Sequence, residues 1–333
     1  MQKMSMGTIE NETSMSATRI DELDYLKCVM IVLMISFHLA YFSATHPYGH
    51  EVVYTFHMPV FLLISGYLMN MQKTPREFLT TIFWFAVPYV VMESGYTIMA
   101  SMLPINEHID HLTPAVFAEK LFLHPLGPYW FLQTLILCEL TCYSMFHISQ
   151  LNQVSKYILI VAVFAVLAHL HVVSLSKSFY FLVGIIIRQS SFSFLQVFRP
   201  SWLAILALVA LWTFPANLVS SSIGCVLIVY SVISLCLAVY PYITDKLRDG
   251  MLFIGRNTLP IFLFSPIFTF LCKPLIPLLS FDSTALLFLV ASLLICITGS
   301  LSLAWLMTRW KWTNIFHLKQ PKCQNTYKKD IVS

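Results

Sequence analysis

Ten apolar runs, most near the ~20 residues a helix needs to cross hydrocarbon, constrain this chain more than any motif in it. They fall at roughly 25–45, 52–70, 79–101, 128–147, 157–174, 179–198, 202–214, 217–240, 251–272 and 284–307. Hydrocarbon offers no water to unpaired backbone groups, so runs of this kind fold as helices. The chain is 58% hydrophobic and 11% charged, with 26 Phe in 333 residues, a balance that a soluble domain of this size does not tolerate on its surface. The expected fold is therefore all-α: a polytopic membrane helical bundle of about ten transmembrane helices, with 179–198 and 202–214 the weakest spans.

Charge sets the expected orientation. With the N-terminus inside, seventeen Lys and Arg residues fall on inner segments and span ends, and only Lys120, Lys177 and Lys273 are left outside. This positive-inside bias predicts an even number of spans and both termini cytoplasmic. The organisation read from this pattern is a polar N-terminal lead over 1–18, expected to be disordered, one transmembrane domain over 19–310, and a basic cytoplasmic tail over 311–333. The lead lacks the basic start, short apolar core and cleavage site of a signal peptide, so the first span is expected to be retained. The net charge of +4 is accounted for by inner ends that face anionic membrane lipids, and no nucleic-acid partner is called for. Eight cysteines, mostly within the runs and without CxxC spacing, read as small packing residues; neither a metal site nor a disulfide framework is expected.

Ionisable side chains inside these runs are costly and so point to function. Lys27 and His38 lie eleven positions apart in the first run, about 16 Å along a helix and on nearly the same face. A cation at the inner mouth with a base above it suits a negatively charged cofactor entering from the cytoplasm. The competing reading is that Lys27 merely snorkels to the headgroups. His57, Glu93 and His169 fall at a similar depth to His38. An imidazole titrates near neutrality and a buried carboxylate can orient it, so His38 with Glu93 is a candidate pair for deprotonating an alcohol. His57 and His169 are equally readable as hydrogen-bonding glue between helices. Ser65-Gly66 reads as a close-packing device or part of a binding site. Pro59 frees a backbone carbonyl and can bend its helix around a cavity. Tyr129 and Trp130 open a span at the outer interface, where an aromatic belt and a sugar-stacking platform are both consistent. Glu139 is a second carboxylate at depth with no partner evident from sequence.

Asp24-Tyr25-Leu26-Lys27, ten residues, then His38 resembles the Arg/Lys-x10-His signature of the acyltransferase-3 family of integral membrane O-acyltransferases. Phe56-His57-Met58-Pro59-Val60-Phe61-Leu62-Leu63-Ile64-Ser65-Gly66-Tyr67 is similar to the FHMPLFFFISGY segment of its fucose-4-O-acetylase-like branch. Trp130-Phe131-Leu132 and Ile254-Gly255-Arg256-Asn257-Thr258-Leu259-Pro260-Ile261-Phe262 match later blocks in family order, over residues 19–310. Two departures stand out: Ser265 falls where the family often has His, and only Lys73 and Arg76 follow the SGY segment where many members are arginine-rich.

The resemblance implies transfer of an acyl group, usually acetyl, from cytoplasmic acyl-CoA to a hydroxyl of a cell-surface carbohydrate, free or lipid-linked, at a bacterial plasma (inner) membrane. Acetyl-CoA is then a donor rather than a permanently bound cofactor. On this reading His38 is catalytic, with Lys27 and Glu93 assisting. His57, Ser65, Tyr129 and Trp130 bind substrate, and Lys27, Lys73, Arg76 and Arg256 hold the CoA end; Lys27 or Arg256 is also a candidate to stabilise the oxyanion. The alternative is a glycan or small-solute transporter using a buried His/Glu relay.

Overall fold

The computed structural model describes residues 19–103, 107–148 and 150–310. The polar lead 1–18, the basic tail 311–333 and Cys323 lie outside the described residues. In chain order the helices are α1 (Asp21–His38), α2 (Ala40–Thr45), α3 (Pro47–Leu68), α4 (Pro75–Met102), α5 (Pro114–Phe122), α6 (Trp130–Phe146), α7 (Gln153–His169), α8 (Leu175–Gln189), α9 (Phe194–Val197), α10 (Ala204–Trp212), α11 (Ile223–Val239), α12 (Asp245–Arg256), α13 (Thr258–Leu271), α14 (Ile276–Leu279) and α15 (Leu286–Arg309). No strand occurs among the described residues.

Each of the ten apolar runs contains helix, but not always one unbroken helix. By length and apolarity α3, α4, α11 with its following turn, and α15 are able to cross a membrane; six segments qualify if α5 with α6, and α12 with α13, each count as one bent span. The architecture is that of a multi-pass helical membrane protein. The expected run 251–272 is corrected: α12 and α13 meet at 82°. Asn257 leaves the helical region with φ −115° and ψ 28°, and its side-chain amide donates to the Phe253 carbonyl at 2.8 Å. Pro260, near the start of α13, occupies a position where a missing N–H is tolerated. The first run also breaks, at Leu39, so that His38 ends α1.

The core is built around α3, which packs against α8, α1, α11 and α6. Its closest neighbour is α8, and two glycines explain the approach. A Cβ on Gly66 would stand 2.0 Å from the Phe181 carbonyl oxygen, and one on Gly184 would stand 2.1 Å from that of Leu63. Small residues let membrane helices pack backbone to backbone, where dispersion replaces the hydrophobic drive that lipid cannot supply. Pro59 lies inside α3 without ending it. Lacking an N–H, it leaves the Thr55 carbonyl without its usual helical donor; the Cys225 thiol of α11 donates to that oxygen at 3.3 Å. All seven described cysteines are free, and all but Cys236 are buried. They pack as small apolar groups.

A third close contact joins α12 to α1, where a Cβ on Gly255 would stand 1.8 Å from the Asp24 carbonyl oxygen. The end of the bundle at which α1 begins is called the lower end below, and the opposite one the upper end.

Candidate active site

Two polar regions flank α1, one at each end. At the lower end Asp24 is the hub. Its buried carboxylate accepts from Arg19 at 2.5 Å, Lys27 at 2.7 Å and Arg256 at 3.4 Å, while Arg256 also reaches Asp21 at 2.9 Å. A buried carboxylate is tolerable only when paired and hydrogen-bonded, and three cations from two segments of sequence more than two hundred residues apart meet that need. The break between α12 and α13 is what carries Arg256 here. Asp24 is a site residue that sequence reasoning passed over, although its spacing of three from Lys27 places both on one helical face.

Above this cluster is a cavity of about 280 Å³ between α1, α3, α4, α6 and α13. Its walls are largely apolar, and its polar groups are Lys27, Ser65, Asn70, Lys73, Thr81 and Glu139, with Thr258 at the α13 end. Lys73 donates to Thr81 Oγ1 at 2.7 Å. Glu139 is 7% exposed and faces the cavity. Two lysines thus line a cleft whose far wall is formed by Phe61, Phe131 and Phe262, with ring centroids 6.0 Å and 5.5 Å apart in succession. Arg76 is exposed on the first turn of α4 and, like Arg256, is not among the lining residues. Of the four cations expected at the CoA end, Lys27 and Lys73 line the cavity and Arg76 and Arg256 do not.

At the upper end the imidazoles gather around one ring. His38 stacks on Tyr54 with centroids 5.7 Å apart, His57 meets Tyr54 edge-on at 5.0 Å, and His50 lies 4.0 Å from it. Tyr54 and His50 were not singled out from sequence. Their signal was spacing: positions 50, 54 and 57 fall on one face of α3. His38 Nδ1 is 2.7 Å from the Met34 carbonyl, and His57 Nδ1 is 2.7 Å from that of Val53. A carbonyl oxygen only accepts, so each Nδ1 carries the proton and each Nε2 keeps its lone pair. Both rings are therefore held by their own helix in the tautomer that a general base requires.

Several expectations are corrected here. Glu93 does not hydrogen-bond to His38; its fully buried carboxylate accepts from the Leu126 N–H at 2.7 Å and from Thr97 at 3.4 Å. It anchors the turn entering α6. Lys27 is tied to Asp24, about 16 Å along α1 from His38, and Arg256 shares the same partner, so neither stands beside the imidazole to stabilise an oxyanion. His57 is 1% exposed and does not line the lower cavity, whereas Ser65 does. Tyr129 is 1% exposed and donates to the Leu263 carbonyl at 2.9 Å, a strut between α6 and α13 rather than a sugar platform. Trp130 remains partly accessible, with the Lys177 ammonium 3.6 Å from its ring centroid. His169 is exposed at the end of α7, apart from the imidazole cluster. Ser265 is buried and bonds back to the Phe262 carbonyl at 3.4 Å.

The arrangement separates a lysine-lined cleft from a pair of imidazoles oriented by their own helices, with α1 and α3 contributing to both. The acyltransferase-3 family model, described as an acyltransferase domain, matches residues 20–305. No curated protein and no solved structure matches the chain.

Proposed function

Because this chain belongs to the acyltransferase-3 family, we propose that it is a plasma-membrane O-acyltransferase of the fucose-4-O-acetylase-like kind, moving an acetyl group from cytoplasmic acetyl-CoA to a hydroxyl of a cell-surface carbohydrate or its precursor. The single observation that carries the reading is the two-ended use of α1, with Lys27 lining the lower cavity and His38 fixed at the other end as the Nε2 base. Ten spans with both termini cytoplasmic fit the positive-inside charge bias and place the lysine cleft on the side where acetyl-CoA is found. A bacterial inner membrane is the corresponding location.

In this scheme Lys27 and Lys73 attract the phosphates of the donor, and Asp24 holds Lys27 against the cleft. The pantetheine arm extends past Phe61, Phe131 and Phe262 toward the upper end. His38 Nε2 takes the proton of the acceptor hydroxyl as its oxygen attacks the thioester carbonyl. The carbon–sulfur bond then breaks, the ester forms, and the proton leaves with the CoA thiol. His57, with the same tautomer and the same Tyr54 contact, orients the acceptor.

The test is the acetyl content of surface glycan, by NMR, in cells with the wild-type gene, a deletion, or His38→Ala at matched membrane expression. Loss of a general base costs roughly 10²–10⁴ in rate, so the deletion and His38→Ala both strip the acetyl esters while polymer export continues. Unchanged acetylation with glycan trapped inside would replace this reading with a transporter.

A further inference from the structure

Glu139 takes no part in the scheme above. It is 7% exposed, and it lines the lysine cleft. The other charged groups of that cleft are committed: Lys27 to the Asp24 carboxylate at 2.7 Å and Lys73 to Thr81 Oγ1 at 2.7 Å. Among the described residues, Glu139 receives no hydrogen bond and has no ion-pair partner. A carboxylate taken out of water without a donor is costly, so a group that enters the cleft is called on to supply one.

Its height in the cleft is set by α6. Phe131, Leu135 and Glu139 follow one another at intervals of four, so they stand on one helical face and line the cavity together. One turn below Glu139, Tyr143 donates to the Lys73 carbonyl at 2.8 Å and stacks on Phe78 with centroids 3.7 Å apart. These contacts fix the lower end of α6 beside the turn that carries Lys73. Phe131 is about 12 Å above Glu139 along the helix. From the lower end upward the cleft therefore presents ammonium groups, then an unpaired carboxylate, then the aromatic wall of Phe61, Phe131 and Phe262. A ligand matched to that order is anionic at its lower end and carries N–H donors in its middle. A CoA thioester has this sequence of groups: phosphates, then the amide N–H groups of pantetheine, then the thioester. A fatty acid or phosphatidylglycerol has the anionic end and no N–H to offer.

We propose that Glu139 is a donor-recognition residue: its carboxylate accepts a hydrogen bond from a pantetheine amide N–H and so sets how far the arm advances toward His38. This rests on the acyltransferase reading and adds to it a residue that reads the arm rather than the phosphates. With Glu139 in place the cleft selects against anionic amphiphiles that lack the amides, because they leave the carboxylate buried and unpaired.

The experiment titrates the full chain in nanodiscs with CoA and with adenosine bisphosphate, its nucleotide end without the pantetheine arm. In Glu139→Leu the affinity for CoA falls roughly tenfold, a loss of about 1.4 kcal/mol, while that for the bisphosphate stays within about twofold. Glu139→Gln, which keeps an acceptor oxygen, recovers most of the loss. The KM for acetyl-CoA follows the same order, and kcat changes by less than roughly threefold. Equal weakening of both ligands overturns the assignment, because it makes Glu139 a prop for the lysines. An equal loss in Glu139→Gln and Glu139→Leu also overturns it, since charge rather than an acceptor atom is then the cause. Displacement of CoA by glycerophosphoethanolamine but not by pantetheine gives the carboxylate to an ammonium instead. CoA affinity unchanged in Glu139→Leu removes the role of Glu139 and leaves the transferase reading standing, whereas a wild-type chain that binds neither CoA nor the bisphosphate overturns the donor reading itself.

Discussion

α3 and α4 are neighbours in sequence, their most apolar 18-residue stretches are equal in mean hydropathy and each has an internal proline, yet 78% of that stretch of α3 is buried within the protein and only 28% of that of α4. In water such a difference would be written in the hydrophobic pattern. In lipid it is not, because hydrocarbon outside the bundle is as apolar as the side chains inside it. What distinguishes the helices is where their small and polar residues fall. α3 carries Gly66 against α8, an oriented His57, and a Thr55 carbonyl served from α11. On α4 six of the seven buried residues, Phe78, Ile82, Tyr89, Glu93, Thr97 and Ala100, make one stripe, with Pro88 buried beside it, and Glu93 pins the loop before α6.

That contrast is open to direct attack. Gly66→Ala forces a methyl onto the Phe181 carbonyl, which no rotamer change relieves, and destabilises by about 1–3 kcal/mol or more. Gly95 of α4 has nothing within 4 Å of an added Cβ, so Gly95→Ala gains about 0.5–1 kcal/mol through helix propensity. Opposite shifts in detergent melting temperature are expected; equal shifts would mean that α3 is no more tightly packed than α4.

Glu93 sharpens the comparison by asking whether the polar stripe of α4 serves structure or chemistry. Glu93→Leu strands the Leu126 N–H and costs about 1–3 kcal/mol, whereas Glu93→Gln keeps an acceptor and stays close to wild type. In the anchoring role, kcat of Glu93→Gln remains within roughly threefold of wild type, while a base or its essential partner would cost roughly 10²–10⁴. A collapse of turnover in a stably folded Glu93→Gln would restore a catalytic Glu93.

The smallest effect concerns the carbonyl that Pro59 sets free. Cys225→Ala removes its donor and lowers stability by about 0.5–1.5 kcal/mol. Adding Pro59→Ala restores the helical N–H, so the double variant recovers most of that loss. An additive pair in the thermodynamic cycle would show that the thiol contributes packing alone.

Much of this molecule was legible without coordinates. The ten apolar runs determined an all-helical membrane protein, and the Lys27–His38 spacing placed an ammonium and an imidazole on one helix because helical geometry is local. The Ser65-Gly66 pair signalled close packing, a backbone property of Gly, whereas the break at Asn257 inside the run 251–272 was not read from sequence. The partners of charged groups were not legible. Asp24 meets Arg256 across 232 positions of sequence, and Glu93 turned from His38 to the Leu126 N–H, because a buried carboxylate binds whichever donor the packing brings within reach. Tyr129 looked like an interfacial ring and proved to be a buried strut for the same reason. Sequence decided which residues are costly to bury and where they sit on their own helices; tertiary structure alone decided what relieves that cost, since hydrogen bonds and ion pairs form between helices whose contacts no local pattern encodes.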